Sequence, residues 1–179
     1  MRIEIREKGS EAFYREAVSV TAQYRYLIKD HHYRLKDYFK SGRRLLILDG
    51  AALALMLFFV VRGKADHLVM LATGLLIAAL AIGLAFYFRL ESMYRALLAD
   101  TRPGALILDE QGVELTRGES QRIRMGWENV AFVRCFQESL VFFPGGAAGI
   151  VITANRRYEQ EILDWLRENR PETEVVRDR

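Results

Sequence analysis

The chain has 179 residues, 51% of them hydrophobic and 27% charged, and a formal net charge of +3. Its mean hydropathy lies near zero because two opposite populations cancel. Residues 45–61 hold one charge, Asp49, residues 68–88 hold none, and such runs argue against a plain soluble domain. The 135 residues outside the runs and their connection suffice for one small domain with an appendage, not for a large enzyme.

Residues 1–44 carry 11 Lys/Arg against 6 Asp/Glu, whereas residues 89–179 carry 13 against 15. The basic excess presses against the first apolar run through Lys36, Lys40, Arg43 and Arg44, which membrane topology explains more simply than nucleic acid does. The first 44 residues are polar, so a cleavable signal peptide is not expected. The single cysteine, Cys135, cannot form an internal disulfide and fits a reducing compartment.

In chain order, Met1 to Arg6 alternates like a short edge strand. Gly9-Ser10 breaks it, and Ser10 is a candidate helix cap. From there to Lys40 neither Gly nor Pro occurs, and Phe13, Ala17, Val20, Tyr24, Ile28, His31, Leu35 and Tyr38 recur at helical spacing. The alternation Val18, Val20, Ala22, Tyr24, Tyr26 competes as a strand, but the helical stripe covers more of the chain. Residues 1–44 are thus expected to be a cytoplasmic strand and amphipathic helix. Their tyrosines and basic residues suit a helix near lipid headgroups, not one on nucleic acid. His31-His32 has no further ligand at metal spacing.

As helices the runs 45–61 and 68–88 would be about 26 Å and 32 Å long, against a hydrocarbon core of about 30 Å. The short polar connection 62–67 makes them an antiparallel transmembrane hairpin. Basic residues outside the hairpin turn outnumber those within it, which puts both termini in the cytoplasm. Asp49 is read as an interfacial carboxylate, with a proton- or ion-linked role as the alternative. Gly74, Ala78, Ala79 and Gly83 offer small-residue faces for helix packing, including homo-oligomerisation.

Residues 89–103 continue as a helical extension and linker, ended by Arg102-Pro103-Gly104. Beyond lie strand patterns: 105–109 and 113–117 around the turn Glu110-Gln111-Gly112, then 122–127, 130–135, 140–143 and 150–153. A helix over 156–169 follows, with Ile162, Leu163, Trp165 and Leu166 as its apolar stripe. The polar tail 171–179 is expected to be disordered. The fold class is therefore an α+β membrane protein whose residues 104–170 form an antiparallel β-domain, a curved sheet or small open barrel, closed by one helix.

That β-domain resembles a pleckstrin-homology-like (PH-like) domain, and the whole arrangement resembles the YcxB-like family of small bacterial membrane proteins. The resemblance is carried by Leu108-Asp-Glu-Gln-Gly112-Val, Arg124-Met-Gly-Trp127-Glu-Asn-Val130, Leu140-Val-Phe-Phe143 and Ile150-Val-Ile152. It implies a short cytoplasmic segment, a two-helix membrane hairpin and a C-terminal PH-like domain in the bacterial inner membrane, and no catalytic residue.

No enzyme motif stands out, and no cofactor or metal site is expected. Gly145 to Gly149 lacks the Lys and Ser/Thr of a P-loop, and Cys135 sits in an apolar strand pattern as a structural thiol. The expected function is a non-catalytic membrane-anchored interaction or scaffold module, with the bilayer, a second copy, or a membrane or cytoplasmic protein as partner. The alternative is an anionic-lipid- or signal-responsive module, and an enzyme or small transporter ranks below both. Arg43, Arg44, Arg122, Arg124, Arg156 and Arg157 are the candidate lipid or partner contacts, with Arg134 a further candidate on the β-domain.

Overall fold

A computed structural model describes residues 1–5, 9–62, 67–100, 102, 104–118, 121–145 and 150–177. The expected turn at 62–67 falls mostly outside these residues, as does most of the glycine-rich loop 145–149. The chain is α+β, with two long apolar helices and two sheets built mainly of antiparallel strands. It divides into two compact units, residues 1–35 with 96–179, and residues 36–95.

The first unit holds both sheets. In the first, β1 (Arg2–Ile5), β2 (Gly104–Asp109), β3 (Gly112–Arg117) and β4 (Gln121–Gly126) pair in sequence order. Period-two alternation lines up the inward side chains in register. Ile3, Leu106, Leu115 and Ile123 form one row, and Leu108, Val113 and Met125 another. The β2–β3 turn needs Gly112, because a Cβ there would stand 2.2 Å from the Met125 carbonyl oxygen. Asp109 closes the turn by accepting from the Gln111 and Gly112 N–H groups at 2.8 and 3.0 Å.

The second sheet has the order β7 (Ile152–Asn155), β6 (Ser139–Pro144), β5 (Val130–Cys135), β8 (Val175–Arg177), with β8 parallel to β5. It is buried on both faces. Val133, Cys135, Leu140, Phe142, Ile152 and Ala154 face the core shared with the first sheet and with α4 (Glu159–Asn169), which contributes Ile162, Leu163 and Leu166. The opposite face, with Phe132, Val141, Phe143 and Val176, is covered by Val20 and Leu27 of α1 (Glu11–Lys29). Trp127 joins the layers: its Nε1–H donates to the Asp109 carbonyl at 2.7 Å, and its ring stacks on Trp165 of α4 with centroids 5.7 Å apart.

The second unit is an antiparallel pair, α2 (Tyr38–Val61) and most of α3 (His67–Ala99). Both are long and apolar enough to cross a membrane, and their most apolar stretches are 0% and 6% buried. The more buried positions of α2 include Phe39, Gly42, Leu46, Asp49, Leu53, Met56 and Val60. Those of α3 include Val69, Thr73, Leu76, Leu80, Gly83, Tyr87, Leu90 and Tyr94. Both sets alternate in steps of three and four, the seam of a coiled-coil-like pair. Contacts cross it from Gly83 to Leu46, from Gly42 to Tyr87 and between the rings of Phe39 and Tyr94.

Several expectations need correction. The N-terminal helix does not run to Lys40. Ser10 caps it as expected, accepting from the Phe13 N–H at 3.0 Å, but α1 ends at Lys29. The reason is local: the Asp30 carboxylate accepts from the His32 N–H at 2.9 Å and its carbonyl from the Tyr33 N–H at 2.9 Å, turns that compete with helix. Asp37 then caps α2 by accepting from the Lys40 N–H, so this helix starts seven residues before the apolar run. The last helix opens as a 3-10 turn over Arg156–Tyr158. The tail is ordered as far as Arg177, because the free edge of β5 takes up β8. Residues 1–35 are no separate appendage, since β1 completes the first sheet and α1 covers the second.

The exit from α3 is tied down by charge. Asp100 accepts from Arg102 Nε and Nη2, both at 2.8 Å, and from Arg117 Nη1 at 3.3 Å. The Arg102 guanidinium, with Arg117 beside it, holds the Asp100 carboxyl well below the usual carboxylate range. A carboxylate depressed in the folded state contributes stability above its unfolded pKa of about 3.9 and loses it as pH falls towards the folded value. Asp100→Asn is therefore expected to be less stable than wild type in urea at pH 7, and the gap should narrow below about pH 4 as the carboxyl of the unfolded wild-type chain takes up a proton. Ile3 is 5% exposed inside the core, so Ile3→Ala should lower stability by about 2–4 kcal/mol, read from the fluorescence of Trp127 and Trp165.

Candidate functional site

Of the six arginines expected at a contact surface, Arg43 and Arg44 belong to the helical unit and Arg122, Arg124, Arg156 and Arg157 to the two-sheet unit. Arg43 and Arg44 lie exposed on α2. Arg122 and Arg124 are on β4 at the edge of the first sheet, where their charge is met within the sheet. Arg122 Nη2 donates to Glu114 Oε2 at 2.7 Å, and Arg124 Nη2 to both Asp109 carboxylate oxygens at 3.1 and 3.0 Å. Glu114, paired with Arg124 in the ladder, is 4% exposed. Arg156 follows β7 of the second sheet and donates to Glu159 Oε2 at 2.8 Å and to the Gln137 carbonyl. Arg157 lies over the Tyr158 ring at 4.6 Å. These side chains tie elements together before they offer charge to a ligand.

The small-residue positions also divide. Gly83 faces Leu46 in the helix pair, where a Cβ would approach Leu46 Cδ2 to 3.3 Å, whereas a Cβ at Gly74 would meet no described side chain within 4 Å. Ala78 and Ala79 are exposed. Asp49 is half-buried on the α2 seam, facing α3 rather than the outer surface of the pair.

Cys135 is 3% exposed in the core. Burial, with Glu159 adding to it, pushes the thiol up to about 11, so the nucleophilic thiolate is suppressed at neutral pH. Glu16 of α1 reaches the β5–β6 turn, accepting from the Glu138 N–H at 3.0 Å and the Ser139 hydroxyl at 2.6 Å. Its burial raises the carboxyl despite those donors. Among the described residues no three His, Cys, Asp or Glu side chains gather as a metal site.

One concave surface does collect charge. The linker after α1 is pinned at two places: the Tyr33 carbonyl accepts from Arg134 Nη2 at 2.9 Å, and His31 Nδ1 lies 3.4 Å from Glu174 Oε1. His31 also packs over Phe132, with centroids 4.0 Å apart. The Glu174 carbonyl accepts from the Val133 N–H at 2.8 Å and starts β8 along β5. Between linker and β8 opens a groove of about 1170 Å³ lined by His32, Arg34, Arg134, Glu174 and Arg177. Arg134 had been singled out from the sequence. Arg34 belongs to the basic residues read near lipid headgroups and Arg177 to a tail read as disordered, and their meeting depends on the helix break and on β8.

Compared with known proteins, the chain matches no family model, no curated protein and no solved structure.

Thiol reagents should leave Cys135 unmodified in the native protein at pH 7 and label it fully after denaturation, as counted by intact mass. Fast native labelling would show an accessible thiolate instead.

Proposed function

We propose that this is a non-catalytic membrane-anchored interaction module of the YcxB-like type. In this reading α2 and α3 cross a bacterial inner membrane as a hairpin, and the two-sheet unit is a cytoplasmic PH-like domain that holds a protein partner or a second copy near the membrane. The observation that carries it is the pairing of β1 with β2. These strands lie on either side of the hairpin in the chain, so their ladder requires the two flanks to be on one side of any bilayer, hence an even number of crossings.

The surface of the helices supports the membrane half of the reading. Leu45, Ile47, Leu55, Phe58, Leu71, Leu75, Ile82 and Phe86 are among many exposed apolar side chains, and water does not tolerate so large an apolar surface. A core helix of a soluble protein would be buried, whereas the most apolar stretches here are 0% and 6% buried. At about 1.5 Å per residue both exceed the hydrocarbon core of about 30 Å. Basic residues favour the cytoplasm for the sheets: Lys40, Arg43, Arg44, Arg89 and Arg95 flank the spans on that side, and Arg62 and Lys64 the turn.

The PH-like half rests on strand order. A four-stranded meander, a second antiparallel sheet of three consecutive strands and a closing helix is the sequence of elements such a domain calls for, here with the helical hairpin inserted after the first strand and β8 added at an edge. The open edge of β4, with Ile123 38% exposed, is available for strand addition by a partner. The charged groove favours the alternative of a lipid- or signal-responsive module within the same architecture.

A reporter active only in the cytoplasm, fused to the C-terminus or inserted between residues 62 and 67, tests the arrangement. Activity is expected at the C-terminus and not in the turn. Activity in the turn alone would invert the topology and remove the cytoplasmic partner.

A further inference from the structure

The groove between the α1–α2 linker and β8 is used neither by anchoring nor by the paired arginines of β4. Three guanidiniums reach it from three elements, Arg34 from the linker, Arg134 from β5 and Arg177 from β8, with His32 beside them. The lining carboxylate, Glu174, is engaged by His31 at 3.4 Å. Arg177 is ion-paired with Glu159 at 3.8 Å, a carboxylate that also accepts from Arg156. Arg34 makes no hydrogen bond or ion pair among the described residues. Positive charge therefore exceeds negative charge inside a concavity, where low-dielectric walls strengthen its pull on an anion.

Arg134 gives the groove a rigid floor. It is 1% exposed, its Nη2 donates to the Tyr33 carbonyl, and its guanidinium lies 4.7 Å from the centre of the Phe136 ring. A side chain already fixed loses little freedom when a ligand arrives. Planar guanidiniums present paired N–H donors that match phosphate oxygens. A volume of about 1170 Å³ admits more than a bare phosphate ion.

We propose that this groove binds a phosphate-bearing ligand, with Arg34 and Arg177 as its donors and the buried Arg134 adding positive charge beneath them. The phosphate belongs either to an anionic lipid headgroup or to a soluble phosphorylated molecule. Arg34 stands four residues before Tyr38, where α2 begins, so the lipid source rests on the membrane reading above, whereas the groove itself does not.

The test uses the full chain in a neutral detergent, titrated calorimetrically with inorganic phosphate, with dihexanoyl phosphatidylglycerol and with dihexanoyl phosphatidylcholine. Saturable binding of an anionic probe is expected, weakening with salt. Arg34→Gln and Arg177→Gln should each weaken it about tenfold, the scale of one charge-assisted contact. Arg122→Gln, on the other sheet, should leave it unchanged. Thermal unfolding of each variant checks that the fold persists. Tighter binding of phosphatidylglycerol than of phosphate assigns the headgroup as source, and the reverse order or equal binding assigns a soluble phosphorylated ligand. The proposal is overturned if neither anionic probe binds, if phosphatidylcholine binds as well as phosphatidylglycerol, or if the double variant binds like wild type. Sidedness plays no part in detergent, so failure here and failure of the reporter fusions are separate results.

Discussion

The structure depends on one ladder between strands far apart in the chain. Leu108 donates its N–H to the Met1 carbonyl at 2.8 Å, and the Met1 nitrogen donates back to the Leu108 carbonyl at 2.5 Å, across a separation of 107 positions. Closing so long an excursion costs chain entropy, and the return comes from burying Ile3 in the row with Leu106 and Leu115. Without β1 the sheet would end at β2, with Leu106 and Leu108 beside an open edge. The same closure brings α1 back to cover the second sheet, so the core is assembled from both ends of the chain.

That covering explains the composition of the second sheet. A sheet with one face in water alternates apolar and polar residues, whereas one covered on both faces reads as a nearly continuous apolar run. Leu140-Val-Phe-Phe143 is such a run, and Val130 to Cys135 departs from it chiefly at Arg134. An arginine on a covered strand is costly unless its charge finds partners; here the linker offers the Tyr33 carbonyl to Nη2, and Phe136, just after β5, lies against the guanidinium. Helix break, buried arginine and groove are thus parts of one arrangement. Had α1 run on to Lys40 as its periodicity suggests, the Tyr33 carbonyl would have been taken up in the helix.

Much of the fold was legible in the residues. The two apolar runs show as the longest helices, and the strands from Gly104 to Asn155 lie within about two residues of their patterns because alternation and turn residues agree. The break at Asp30 was not legible, since neither Gly nor Pro marks it and the stripe runs on through it. Nor was β8: Val175-Val176 is too short to show a period, and what orders it is the free edge of β5, a tertiary fact. The first strand was legible as a strand but not as the partner of β2. For the candidate site the limits were similar. Arg122 and Arg124 look like a basic face until the hairpin register sets Glu114 opposite them, and Arg34 and Arg177 gain meaning only once the linker and the tail lie side by side.

The order of the elements also has a consequence for synthesis. β1 is made before α1, α2 and α3, and its partner emerges roughly 100 residues after it, a delay of about 5–20 s at ordinary rates of translation. During that interval its hydrogen-bonding edge and Ile3 have no native partner, while all of α2 and α3 are produced. Its shortness, four residues, and its alternating charges suit a segment that must stay soluble while it waits. Completion of the first sheet thus comes only after both apolar helices have been made.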